Sequence, residues 1–207
     1  MSKFHVPYMY NPGVLAGKLP DKLFKKVKKA VLDPKARSAS VRHLLVGAIK
    51  NEFSTPEIPE LRQYVSEMYE EWCETFQTEK SKYVINPVWT NYMKAGEFNP
   101  NHTHPTAIAA FVIWVQIPYD IQEEIKGDEY NNAKHPNRAS CFEFTYSLLD
   151  GRIHHNPIYI DKNYEGTIAM FPGTMIHCVY PFRTSDGERI TIAGNIHMAQ
   201  NAEVAQR

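Results

Sequence analysis

Cysteine is scarce in this chain: Cys73, Cys141 and Cys178 are scattered and odd in number. That argues against a disulfide framework and fits a reducing, cytoplasmic setting. No CxxC pair occurs, so a thiolate zinc site is not expected. No apolar run approaches the roughly 18 residues of a membrane span, and the stretch from Met1 to Pro12 lacks the apolar core of a signal peptide. Neither charge is in excess, with Lys+Arg and Asp+Glu both at 23. A broad cationic field that would draw nucleic acid or an anionic membrane is therefore not expected. The one basic cluster, Lys22, Lys25, Lys26, Lys28 and Lys29, reads as the solvated face of a helix. A phosphate-binding glycine loop, a GxSxG elbow and an HExxH zinc-protease motif are also missing.

What is present is an ordinary globular composition, 43% hydrophobic and 22% charged, over 207 residues. That length buries a core without staples. With no internal repeat and no linker, residues 1–207 read as one domain in two regimes. Residues 13–80 read as a helical supporting layer. Leu23, Phe24, Val27 and Val31 fall at helical spacing, and Asp33-Pro34 ends that helix. A second helix is expected from about Ser40, with Val41, Leu44, Leu45, Ala48 and Ile49 on one stripe. A third carries Ile58, Leu61, Val65, Met68, Tyr69, Trp72 and Phe76, a face broad enough to lie on a sheet.

Residues 81–200 read as strands. Tyr83 to Met93 is rich in β-branched and aromatic residues, and Ile108 to Ile117 is almost continuously apolar. Phe142 to Leu148, Ile158 to Ile160, Thr167 to Phe171, Ile176 to Tyr180 and Arg189 to Met198 supply the rest. Turn signals at Asp150-Gly151, Pro172-Gly173 and Asp186-Gly187 separate them. Short strands at near-regular spacing predict a mainly β fold with N-terminal helices (α+β), built on a jelly-roll barrel or double-stranded β-helix. The polar stretch from Tyr119 to Arg138 is long for a connection and reads as a lid or insert.

The sharpest chemical signal is Gly96-Glu97-Phe98-Asn99-Pro100-Asn101-His102-Thr103-His104. Extended residues two apart share a face, so His102 and His104 aim together. Neutral imidazole suits Fe, Zn, Cu or Ni. A third ligand is expected at His177, which follows the strand and tight turn of Gly166 to Gly173. A lone histidine is usually a satisfied core or surface residue, and His5, His43, His135 and His197 are read so. Of the adjacent pair His154 and His155, at most one faces a site. On the last strand Arg189, Thr191, Ala193 and Asn195 share one face, while Ile190, Ile192, Gly194 and Ile196 share the other. A guanidinium beside a hydroxyl offers a bidentate grip and one more donor to a carboxylate. Phe111, Trp114 and Tyr146 are expected to supply an apolar lining.

These segments, in this order, resemble the iron- and 2-oxoglutarate-dependent dioxygenases, in particular the short members encoded by bacteriophages and marine microbes. The matching stretches are Leu45 to Phe53, Gly96 to His104, Phe111 to Pro118, Gly166 to His177 and Glu188 to Ile196. The resemblance implies Fe(II) and 2-oxoglutarate as cofactors, and turnover of the latter to succinate and CO2 as O2 oxidises a substrate that the sequence does not specify. For a phage-encoded member it implies the host cytoplasm. It implies that His102 and His177 hold metal, that Arg189 binds the distal carboxylate of 2-oxoglutarate and that Thr191 supports it. Asn91, Tyr92 and Asn195 are further candidates for that pocket.

One position departs from the pattern. The family uses His-x-Asp/Glu…His, but here the second place is His104, and no Asp or Glu lies between Glu97 and Asp120. Three outcomes stand open: His104 is itself the third ligand, a distant carboxylate such as Glu143 completes the set, or a coordination position stays free. Two other readings stand beside the oxygenase. Gly96 and His102-x-His104, then Gly166, Pro172 and His177, approximate the two motifs of a cupin-like metalloprotein that does not use 2-oxoglutarate. The missing carboxylate also admits a non-catalytic jelly-roll module.

Overall fold

The computed structural model describes residues 11–126 and 137–199. Two antiparallel sheets face each other. The larger has six strands in the order β1 (Leu15–Lys18), β8 (Thr167–Pro172), β5 (Ala109–Gln116), β10 (Arg189–Met198), β3 (Tyr83–Met93) and β2 (Glu52–Ser54). The smaller has four in the order β4 (Asn99–His102), β9 (Ile176–Val179), β6 (Cys141–Ser147) and β7 (Ile153–Tyr159). Most neighbouring strands are far apart in sequence, as in a jelly roll, and the fold is mainly β with a helical layer as expected.

The central strands β5 and β8 have two apolar faces because each face meets a different layer. On the outer face Ile113, Ile168, Ile190, Ile192 and Tyr92 pack against helices α1 (Asp21–Leu32) and α2 (Pro59–Thr75), through Val27, Val31, Leu61, Val65, Tyr69 and Trp72. Trp72 also donates its indole N–H to the Gly13 carbonyl at 2.7 Å, tying α2 to the chain entering β1. On the inner face Ala110, Val112, Trp114, Ala169 and Phe171 meet Phe142 and Phe144 of the small sheet. This two-sided burial is why β5 reads as an unbroken apolar run. No helix among the described residues is long and apolar enough to cross a membrane.

Three expectations need correction. The helix from Ser40 is a short 3-10 turn, Arg42–Leu44, followed by irregular chain. Gly47 there has φ +120°, and a Cβ on it would strike the Asn99 side chain. The segment pairs with strands instead: Val41 N–H donates to Glu52 O at 3.0 Å and Ala48 N–H to Phe98 O at 2.8 Å. Only Ile49 of its stripe is buried, while Leu44 and Val46 are about half exposed. Residues 13–80 are thus not purely helical, since they also supply β1 and β2. The strand expected at Ile158 to Ile160 runs instead from Ile153 to Tyr159. Of the long connection, α3 (Ile121–Lys126) is helical, and 127–136 lie outside the described residues.

Candidate metal and co-substrate site

His102 ends β4 and lies directly across from His177 on β9. His104 follows two residues later, its backbone N–H bonded to Gly173 O at 2.7 Å in the turn between β8 and β9. That turn requires glycine, because a Cβ on Gly173 would come within 2.2 Å of the Ala107 carbonyl oxygen. The three imidazoles converge, and one ligand atom from each lies within 4.8 Å of the others. Ring centroids of His102 and His177 are 4.2 Å apart, and each is 5.3 Å from His104.

The tautomers follow from the backbone. His102 Nδ1 sits 2.7 Å from Pro100 O, and His177 Nδ1 sits 2.9 Å from Met175 O. A carbonyl only accepts, so Nδ1 carries the proton and Nε2 keeps its lone pair for a ligand. Burial, then the neighbouring His102 ring, pushes His177 down to about 3 and His104 down to about 4. Burial lowers His102 as well. Three neutral imidazoles with free lone pairs facing one point are a donor set suited to a divalent transition metal.

The same cavity holds Arg189, which is 2% exposed. Its guanidinium donates to Ser140 O at 3.1 Å, Tyr180 O at 3.0 Å and the Tyr119 hydroxyl at 3.3 Å. All these acceptors are neutral, and among the described residues no carboxylate forms an ion pair with it. A buried cation without a counter-ion favours an anionic ligand. Beside it Thr191 accepts from Asn91 Nδ2 at 3.2 Å, and the Asn91 amide oxygen is buried without a partner. The fit to 2-oxoglutarate therefore rests on a guanidinium without a counter-ion and the Thr191 hydroxyl beside it.

Not every candidate arrives there. His102, His104, His177, Arg189, Thr191 and Asn91 line this cavity with Phe111 and Trp114. Tyr92 does not: alternation turns it to the outer face, where its hydroxyl donates to Val31 O at 2.7 Å and the Arg37 guanidinium lies 3.9 Å from its ring. Asn195 lies further along β10 and lines a neighbouring cleft instead. Tyr146 packs beside His154, with ring centroids 5.3 Å apart, rather than on the cavity. Glu143 cannot complete the metal set. Its neighbours Phe142 and Phe144 point inward, and its own carboxylate meets Arg138 at 3.3 Å and His155 at 3.2 Å on the other face. His5 and His135 lie outside the described residues. The sequence reading missed Trp89 and Met93, which line the cavity. Both share the parity of Asn91 on β3, so alternation could have found them.

Residues 87–195, just over half of the chain, match the family model described as "Putative 2OG-Fe(II) oxygenase". No curated protein matches the sequence. Solved structures resemble the fold at low identity. A prolyl hydroxylase from Trichoplax adhaerens, solved with a hypoxia-inducible-factor peptide, has TM-score 0.58 at 10% identity, covering 95% of this chain and 88% of that one. A prolyl-4-hydroxylase from Pseudomonas putida has TM-score 0.52 at 13% identity, covering 90% and 92%. The non-heme alpha-ketoglutarate-dependent carbocyclase of nogalamycin biosynthesis has TM-score 0.57 at 9% identity, covering 95% and 87%. At these identities the structures speak for the fold, and the family model for the kind of enzyme: the chain belongs to the 2OG-Fe(II) oxygenases, enzymes whose cofactors are Fe(II) and 2-oxoglutarate.

Proposed function

We propose that this enzyme couples the oxidation of a substrate by O2 to the conversion of 2-oxoglutarate into succinate and CO2, with His102, His104 and His177 as its metal ligands. The observation that carries the reading is one cavity holding both a three-imidazole cluster and a buried guanidinium without a carboxylate partner. Iron, when bound, supplies the centre at which O2 is activated. The chain does the rest. The carbonyls of Pro100 and Met175 fix two rings with Nε2 free. Arg189 and Thr191 hold the distal carboxylate of the co-substrate. Phe111, Trp114 and Phe171 keep the cavity apolar, which strengthens each polar contact inside it.

His104 in place of a carboxylate leaves the metal site one unit more positive than the usual two-histidine, one-carboxylate set. The site is expected to hold Fe(II) less tightly on that account. The Arg189 contact tests the reading. Arg189→Ala removes a charge-assisted pair, worth about 2 kcal/mol or more, so affinity for 2-oxoglutarate in the iron-loaded protein should fall by about 30-fold or more. Anaerobic calorimetry measures this. Native protein that ignores 2-oxoglutarate with Fe(II) present would remove the proposal, and an unchanged affinity in the variant would remove Arg189 from it.

A further inference from the structure

A second cleft, of about 370 Å³, shares Trp89, Asn99, His102 and His104 with the cavity above. Its other walls include Glu52, Asn195 and His197, with Leu44 and Val46. Glu52 is 2% exposed, His197 2% and Asn195 9%. Each carries a buried atom with no hydrogen-bond partner: Glu52 Oε1, Asn195 Oδ1 and His197 Nε2. Such atoms are costly to leave unpaired, so three around one cleft call for an occupant.

All three are acceptors. An ionised carboxylate and an amide oxygen only accept. His197 Nδ1 lies 2.9 Å from Thr106 O, so its proton sits there and Nε2 keeps a lone pair. No Lys or Arg lines the cleft. Arg42 is near enough to Glu52 to act on its carboxyl electrostatically, yet no ion pair joins them among the described residues. His43 is the other titratable residue of the wall, apart from the metal-site pair His102 and His104, and it is exposed. The cleft is therefore rich in acceptors, carries a carboxylate and lacks an internal cation. Trp89 offers an aromatic face, and its ring lies 6.0 Å from that of His104. Leu44 and Val46, 52% and 50% exposed, present apolar surface at the same opening.

We propose that this cleft is the substrate site and that it takes an organic cation with N–H donors, a protonated amine or guanidine on an alkyl chain. The identification as substrate rests on the oxygenase reading, whereas the preference for a cation rests on the cleft alone. An ammonium group offers donors and no acceptor, which suits the carboxylate of Glu52 at one end of the cleft, while Asn195 and His197 add acceptors further along it. Trp89 adds attraction for the charge. The alkyl part covers Leu44 and Val46 and leads from the cation toward His102 and His104.

The test titrates n-butylammonium, n-butanol and tetramethylammonium into the full chain in an amine-free buffer at pH 8, where Glu52 is ionised, anaerobically, with and without Fe(II) and 2-oxoglutarate. Calorimetry should find n-butylammonium bound at least tenfold more tightly than either control. Glu52→Gln should lose at least tenfold of that affinity, and Asn195→Asp, which adds a second negative charge, should gain several-fold. Equal affinity for n-butanol, or for tetramethylammonium, overturns the inference, as does an unchanged affinity in Glu52→Gln. Binding of 2-oxoglutarate is measured on the same samples. If it binds and the amine preference is absent, this inference fails alone. If it does not bind while the amine preference persists, the oxygenase reading fails and the cation site stands.

Discussion

Glu52 shows at the scale of one residue what a ligand-facing group costs the fold. Burial pushes its carboxyl up to about 7 from an ordinary value near 4.5, with Glu97 pushing the same way and Arg42 opposing. The sign follows from linkage. Below about pH 4.5 the group is neutral whether the chain is folded or not, and it imposes no penalty. Between there and about pH 7 the unfolded chain loses its proton first, so stability falls as pH rises. Above pH 7 the folded protein carries a desolvated charge that Arg42 only partly offsets. Glu52→Gln should therefore be more stable than the native chain at pH 8, by about 1–3 kcal/mol, and equal to it near pH 4. Urea denaturation at the two pH values checks this. A difference of the same size at both would mean that charge is not the cause. Retaining a residue that weakens the free protein is the trade expected where a site is shaped for a partner.

At the scale of the element, β10 divides structure from chemistry along one strand. Ile190, Ile192 and Ile196 face the helices, and Arg189, Thr191 and Ala193 face the cavity. Ile192→Ala should destabilise the fold by about 2–5 kcal/mol, since the side chain is fully buried, while the protein that stays folded keeps its affinity for 2-oxoglutarate. Thr191→Ala should do the reverse, changing stability little and weakening 2-oxoglutarate several-fold. Thermal melts and calorimetry on both variants separate the two faces, and a common loss of both properties would refute the division. This alternation was legible in the sequence because β10 is long and keeps period two. Asn195 keeps the face of Ala193, as alternation says, but it lies further along the strand and lines the adjoining cleft, a distance that period two alone does not reveal. Tyr92 is next to Asn91 on one strand, so the same alternation turns it the other way. The stretch after Ser40 has helical spacing but no helix, because Gly47 takes a positive φ and backbone pairing with Glu52 and Phe98 wins. Glu52 escaped notice because β2 is three residues long, too short for any period to show. His102, His104 and His177 were legible because an extended segment aims two rings together and a glycine turn brings the third.

For the whole molecule the decisive fact is how the ligand groups are shared between the sheets. His102 and His177 lie on adjacent strands of the small sheet, and His104 is pinned to the turn that leads into β9. Arg189 and Thr191 lie on the large sheet, whose outer face the helices already cover. Metal alone would therefore brace one side of the sandwich, whereas metal with 2-oxoglutarate would link both. Binding to the folded state at about 100 times Kd adds about 2.7 kcal/mol, or roughly 5–10 °C in a chain of this size. Anaerobic Fe(II) should raise the melting temperature by about that much, and 2-oxoglutarate should add a further rise only when Fe(II) is present. Arg189→Ala should keep the metal increment and lose the second, while His177→Ala should lose both. A 2-oxoglutarate increment that survives in Arg189→Ala would show that the two sheets are not joined through that guanidinium.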